Sequence, residues 1–359
     1  MAPEFVTLKI NFDILKKITI KTPDSKSDVH IGEEWTSFIK YVPEKKAVII
    51  TDDNILKFYG KQFSGLPFIS ITPGEKSKNL EVINDLAGKL LNLGLDRNGF
   101  IIGVGGGVVC DIAGFLASVY MRGVGFGFIS TSLLSQVDAS VGGKNGVNVG
   151  SVKNIIGNFR QPEFVICDPQ MLKTLPEDEY LSGLAELLKI GFVSDAGLIR
   201  EIENNIELII KRDYLILTKL IISSVSIKAR VVNEDEKESG IRMILNFGHT
   251  FGHAIEAQTG LKHGFAVAAG MVIAADISVK LGILNQVERD RLYDLLDTLK
   301  LLVNYDITSK QIIKYISQDK KKSGESVNFV LLEKTGKANV KSITIQNLSD
   351  YYKSFKDRI

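Results

Sequence analysis

The chain is expected to fold as an α/β nucleotide-binding domain over residues 1–172, with a Rossmann-like parallel sheet, followed by a mainly α-helical domain over 173–359. Three observations predict this. In the first half, short β-branched or aromatic runs alternate with helix-length segments. After about residue 175, six segments in succession carry helical spacing, with hardly any strand signal between them. Finally, 359 residues is more than one hydrophobic core usually serves.

The elements follow in order. Ala47–Thr51 reads as a β-branched strand and Pro67–Thr72 as a second. Between Lys78 and Gly94, Leu80, Ile83, Leu86, Leu90 and Leu93 recur at three- and four-residue steps, the stripe of an amphipathic helix that Gly94 stops. Phe100–Val104 and Gly125–Ser130 are two further strands. Strands joined through helices imply a parallel sheet covered on both faces. The helical half is predicted as Glu177–Val193, Ala196–Arg212, Tyr214–Asn233, Phe247–Thr259, Ala266–Leu281 and Val287–Leu299, with one late strand at Val327–Leu332. Asp319–Ser326 reads as a polar loop and the tail from Tyr351 as a charged helix end.

Charge and composition exclude several roles. Lys and Arg total 44 against 42 Asp and Glu, a net +2, so no global field recruits nucleic acid or an anionic membrane. Gly99–Val119 is mostly apolar but contains Asp111 and six glycines, against a spanning helix. Glu4 stands where a signal peptide needs positive charge, and Cys110 and Cys167 lie in apolar runs as buried, reduced thiols. A cytoplasmic location is expected.

Gly103-Val-Gly-Gly-Gly-Val-Val-Cys-Asp111 follows a strand and opens a helix. Its glycines let the backbone approach a diphosphate, which free N–H groups of the helix start can hold. Val108 stands where the usual dinucleotide fingerprint has its third glycine, and a tight turn without ligand explains the run as well. Asp52-Asp53-Asn54 suits a ribose hydroxyl or a plain turn.

Three of the four histidines, His249, His253 and His263, fall within fifteen residues. His249 and His253, at i and i+4, share a helix face, and His263 opens the next helix. Neutral imidazoles in such a group suit Zn²⁺, whose catalytic sites take three protein ligands and leave a position open. No Glu follows His249, so the zinc-protease helix motif is absent. Glu186 and Lys189, three apart on an otherwise apolar helix, fit a surface ion pair or a polar cavity. Lys144 follows two glycines in an apparent loop. With Lys153, Asn154, Lys228, Arg242 and Asn246 it would suit a substrate carrying a carboxylate and a phosphate.

Six blocks in order resemble the 3-dehydroquinate synthase family: Gly105–Phe115, Tyr120–Gly123, Ser135–Lys144, Gly183–Lys189, Arg242–His253 and His263-Gly264. The resemblance covers nearly the whole chain. It implies an NAD⁺- and Zn²⁺- (or Co²⁺-) dependent lyase that turns 3-deoxy-D-arabino-heptulosonate 7-phosphate, a small sugar-phosphate substrate, into 3-dehydroquinate and phosphate. By that resemblance Glu186, His249 and His263 are metal ligands and His253 the acid–base residue. Arg242 and Lys144 would grip the carboxylate, Asn154, Lys189, Lys228 and Asn246 complete the substrate shell, and Asp138 hold a hydroxyl. Arg122 would reach the phosphate from the neighbouring subunit, which implies a homodimer, and Lys320 or Lys321 would meet it too. NAD⁺ would lie against Asp53, Asn54, Glu75, Lys78, Gly106, Gly107, Val108, Asp111, Thr131, Ser132 and Lys153. Two residues depart from the family pattern: Phe265 stands where a Glu is usual, which would weaken metal affinity if that Glu orients a ligand, and Asn145 replaces a Thr. Rival readings are a sibling cyclase making 2-deoxy-scyllo-inosose or a valiolone, and a metal-dependent dehydrogenase of the glycerol type.

Overall fold

The computed structural model describes residues 15–356, apart from 24, 44–45, 64, 151, 319–321 and 324. The strands are β1 (Lys16–Thr22), β2 (Ser25–Ile31), β3 (Ala47–Asp52), β4 (Phe68–Ile71), β5 (Phe100–Gly105), β6 (Gly125–Ser130), β7 (Lys144–Val149), β8 (Val152–Phe159), β9 (Phe164–Cys167), β10 (Lys322–Ser323), β11 (Ser326–Lys334) and β12 (Lys337–Thr344). The helices are α1 (Asp53–Tyr59), α2 (Leu80–Asn92), α3 (Gly107–Val119), α4 (Glu177–Ser194), α5 (Ala196–Asn204), α6 (Ile206–Ile210), α7 (Tyr214–Glu234), α8 (His249–Thr259), α9 (His263–Lys280), α10 (Gln286–Thr298), α11 (Ser309–Gln318) and α12 (Ile345–Lys356).

Seven strands form the main sheet in the order β1-β2-β9-β6-β5-β3-β4, parallel except for the β1–β2 hairpin. The order explains where a ligand can enter. From β3 the chain crosses outward to β4, whereas from β5 it crosses the other way to β6. The two connections part at the carboxyl ends of β3 and β5, leaving the crevice that open α/β sheets use for ligands. Asp52 at the end of β3 and Gly105–Gly107 at the end of β5 flank it.

Several predicted elements are corrected. Ala196–Arg212 is not one helix: Asn205, at φ −129°, interrupts it and its side-chain amide donates to the Glu201 carbonyl. Lys144 does not lie in a loop but opens β7, which pairs with β8. Part of the polar loop is strand, since Lys322–Ser323 pairs with β11; Lys320 and Lys321 lie outside the described residues. β1, β2, β9 and β12 carried no prediction. Helix α9 is long and apolar enough to cross a membrane, but 72% of that window is buried inside the fold. Cys110 and Cys167 are free and buried.

The helical layer is set by close approaches rather than by large side chains. Gly248 caps α8 at φ 78°, a left-handed conformation that costs glycine nothing. A Cβ at Gly270 of α9 would sit 2.0 Å from the Gly248 carbonyl oxygen, and one at Gly264 would sit 2.3 Å from Ser182 Cα on α4. α8, α9 and α4 therefore cross nearly backbone to backbone. This brings the starts of α8 and α9 up to the middle of α4.

Candidate active site

Those crossings place three donors together. Glu186 on α4 is 1% exposed, and its Oε1 lies 3.2 Å from His263 Nε2 and 3.8 Å from His249 Nε2. Each of the three offers an atom within 4.8 Å of the others. Both Glu186 oxygens are sealed from water; Oε2 is ion-paired with Lys189, and Oε1 faces the two imidazoles. The donor set fits a divalent cation: atoms about 2.1 Å from a tetrahedral Zn²⁺ stand about 3.4 Å apart.

The imidazoles are presented for ligation. His249 Nδ1 donates to the Phe247 carbonyl at 3.2 Å, which leaves the Nε2 lone pair toward Glu186. Burial, reinforced by Lys189, His253 and His263, holds His249 well below its ordinary pKa and so neutral. His263 Nδ1 faces Glu256 Oε2 at 3.3 Å. Burial would lower the His263 pKa, but Glu186 and Glu256 outweigh it and push it up to about 9, so this ring is held as the imidazolium and would release a proton on taking a metal. His253 is adjacent, its ring 5.0 Å from His249 and 6.0 Å from His263.

A cationic cup lies beside this trio. Lys189 is 2% exposed, bonds Asp138 Oδ2 at 3.2 Å, and is ion-paired with Glu186. Lys228, 5% exposed, donates to the Asp138 carbonyl at 2.5 Å and is ion-paired with its carboxylate. Burial alone would raise the Asp138 carboxyl, but the two lysines outweigh it and hold it well below the usual range. Asp138, on a single π-helical turn at Ser135–Ala139, thus clasps two cations. Arg242 is also buried, donating to the carbonyls of Glu236 (2.5 Å) and Gly142 (3.1 Å). Lys144 and Asn246 converge on Glu238, which pairs with both. Glu238 was missed in the sequence because a lone acid in a polar turn has no periodic signature.

The cofactor side is partly assembled. Gly106 caps α3 with no side-chain bond, so the helix start keeps backbone N–H groups free of any side-chain cap. Ser132 lies 3.2 Å from where a Cβ on Gly106 would stand, and the Thr131 amide donates to Gly105. Lys78 and Asp111 pair at 2.5 Å. Asp52 serves as the cap of α1, accepting from the amides of Asn54 and Ile55, while Asp53 accepts from Ser70. Val108 is half-buried in the first turn of α3. Glu75, on the short turn Glu75–Ser77, lies 3.9 Å from Lys153 of the β7–β8 hairpin, on which Asn154 is exposed at φ 52°. Arg122 is not brought to this site; it sits exposed at φ 67° between Met121 and Gly123, both also at positive φ. Asn145 is structural: its amide donates to the carbonyls of Gly143 and Arg160, and its side chain fills the space over Gly114.

A Rossmann-like sheet joined to a helical layer is a fold this chain shares with solved sugar-phosphate cyclases and, more distantly, with an iron-containing alcohol dehydrogenase. The fold matches that of ValA, a 2-epi-5-epi-valiolone synthase from Streptomyces hygroscopicus subsp. jinggangensis solved with NAD⁺ and Zn²⁺ bound (TM-score 0.85, 24% identity, 93% of this chain and 97% of that one). It also matches a 2-deoxy-scyllo-inosose synthase complexed with carbaglucose-6-phosphate, NAD⁺ and Co²⁺ (TM-score 0.81, 25% identity, 93% and 98%). An iron-containing alcohol dehydrogenase is more distant (TM-score 0.66, 16% identity, 93% and 97%). In sequence, residues 68–182 match the 3-dehydroquinate synthase N-terminal family model and 183–322 the C-terminal one. The 3-dehydroquinate synthases of Thermoanaerobacter pseudethanolicus and Dictyoglomus thermophilum are 43% and 38% identical, over 85% and 94% of this chain and 89% and 96% of theirs. The chain belongs to the 3-dehydroquinate synthase family.

Proposed function

We propose that this chain converts 3-deoxy-D-arabino-heptulosonate 7-phosphate to 3-dehydroquinate and inorganic phosphate, as an NAD⁺- and metal-dependent lyase. The observation that carries the reading is the trio of buried Glu186 and half-buried His249 and His263 set directly against the Lys189–Asp138–Lys228 cup. Glu186, His249 and His263 would hold Zn²⁺ or Co²⁺, and the β5–α3 turn would hold the dinucleotide. When bound, the metal supplies Lewis acidity at an alcohol or ketone oxygen, and NAD⁺ a two-electron oxidation that is later reversed.

The protein's own work is positioning and charge. Lys189 and Lys228 are pinned by Asp138, so an anionic substrate meets cations already desolvated and oriented. Arg242, fixed by two carbonyls, sits with Lys144 and Asn246 at the side where the substrate carboxylate is expected. His253, beside the trio but outside it, moves the proton that accompanies alcohol oxidation. Asn154, Lys320, Lys321 and the partner subunit's copy of Arg122 would complete the phosphate and substrate contacts in a cytoplasmic homodimer. The boundary between the nucleotide and metal-binding domains is taken near residue 172.

The test is phosphate release from the heptulosonate phosphate by purified protein, with and without NAD⁺ and a chelator. Release that needs both supports the reading; its absence ends it. Glucose 6-phosphate and sedoheptulose 7-phosphate run alongside, because the fold likeness to ValA favours a sibling cyclase as the second reading. Net NADH accumulation would instead point to a dehydrogenase.

A further inference from the structure

We propose that Glu256 is a positioning residue: it fixes the tautomer and orientation of His263, and Lys153 in turn fixes Glu256. The inference rests on the metal-site reading above and adds a residue that the sequence did not single out.

Glu256 lies seven residues after His249 and three after His253, so all three ride one face of α8. Its carboxylate is divided between two partners. Oε2 meets His263 Nδ1 at 3.3 Å, and Oε1 accepts from Lys153 Nζ at 2.6 Å. The opposite nitrogen of the same ring, Nε2, faces Glu186 Oε1 at 3.2 Å. A carboxylate accepting at Nδ1 keeps a proton there, so that when the ring gives up a proton to a metal it is Nε2 that becomes the lone pair. That is the carboxylate–histidine arrangement that orients and strengthens an imidazole ligand. The side chain is only 11% exposed, so this is no solvated surface pair. With Phe265 two residues after His263, this carboxylate comes from the preceding helix.

Glu256 could itself be a ligand, because His253, Glu256 and His263 also place donor atoms within 4.8 Å of one another. The hydrogen-bond pattern argues against it. Glu256 Oε1 is held by Lys153 at 2.6 Å and Oε2 meets His263 at 3.3 Å, whereas Glu186 Oε1 faces the Nε2 atoms of both His263 and His249. Lys153 belongs to the β7–β8 hairpin and also approaches Glu75 at 3.9 Å, so the chain His263–Glu256–Lys153–Glu75 runs from the metal trio to the expected cofactor side.

The test is chelator-competition titration of Zn²⁺ into metal-free wild-type protein, Glu256→Gln and Glu256→Leu, together with the visible spectrum of each Co²⁺-loaded form. Gln keeps an acceptor but loses the charge; Leu loses both. The expected order of affinity is wild type, then Gln, then Leu, with Leu weaker by roughly 10–100-fold. Stoichiometry should stay at one and the Co²⁺ bands should shift. Should Leu not fold, the Gln variant alone must still bind more weakly than wild type with a shifted spectrum. Affinities within threefold of wild type in every folded variant overturn the proposal. So does a complete loss in Gln and Leu equal to that of His263→Ala, which would make Glu256 a ligand. If wild-type protein itself binds no metal, the metal-site reading fails first, and the wild-type titration reveals that separately.

Discussion

Gly270 lies seven residues past His263 on α9, away from every donor atom, yet it sets the spacing of the metal ligands. A Cβ there would stand 2.0 Å from the Gly248 carbonyl oxygen and 2.8 Å from the Gly252 nitrogen. Even compressed, non-bonded carbon and oxygen keep about 3 Å apart, so α8 would have to retreat from α9 by about 1 Å. His249 rides α8 and His263 rides α9, so the trio opens by a similar amount. Metal sites hold their ligand distances to within about 0.2 Å. Gly270→Ala should therefore weaken Zn²⁺ binding by roughly 100-fold or more, with an overpacking cost of about 1–3 kcal/mol in stability. Chelator-competition titration and thermal unfolding of the metal-free protein measure the two effects separately. An alanine variant that melts normally and binds Zn²⁺ within threefold of the parent would refute the claim that the helix crossing sets the ligand geometry.

The two histidines of α8 should separate in their effects. His249→Ala is expected to abolish metal binding and turnover together, whereas His253→Ala should keep one metal per chain and lose roughly 10²–10⁴-fold in kcat; metal analysis of both variants beside kinetics decides it. Asp168 gives a pH prediction of opposite sign to the usual carboxylate. Its burial, only partly offset by the amides of Gln170 and Trp35, pushes its carboxyl up to about 6 from an ordinary 3.8. The native state thus holds this proton more tightly than the unfolded chain. Its contribution falls as pH rises from about 4 to 6, by about 3 kcal/mol. Denaturant titrations across that range should show Asp168→Asn flattening the slope, and an unchanged slope would exclude Asp168 as its source.

Local pattern predicted the elements that local pattern builds. β3, β5 and β6 were visible as unbroken apolar runs because their two faces feed two separate cores, and most helices because an apolar stripe faces one of them. β1, with Lys16, Lys17 and Lys21 among its seven residues, hides its strand character, since only the hairpin with β2 and the packing of α7 sustain it. β7 and β8 are rich in Gly and Asn, and they exist through their mutual register rather than through propensity. At the site, the histidine cluster and the Glu186–Lys189 spacing were legible, and the buried answer to the ion-pair question came from the apolar neighbours on α4. Asp138 was read as a hydroxyl-binding acid, yet here both its oxygens serve Lys189 and Lys228, an arrangement that depends on two distant helices. Glu256 went unnoticed although its seven-residue spacing from His249 was a usable signal.

The tight crossing of α8 over α9 has a consequence for the life of the protein when trace elements are scarce. Its three donors are held in place by backbone contacts that involve no ion, unlike small zinc modules whose folding is driven by the metal. If the proposed metal site is right, starvation for the metal would silence the chain while the glycine contacts between α8 and α9 still held the helices together. The dormant pool could then be recharged as soon as supply returns, with no need for fresh synthesis.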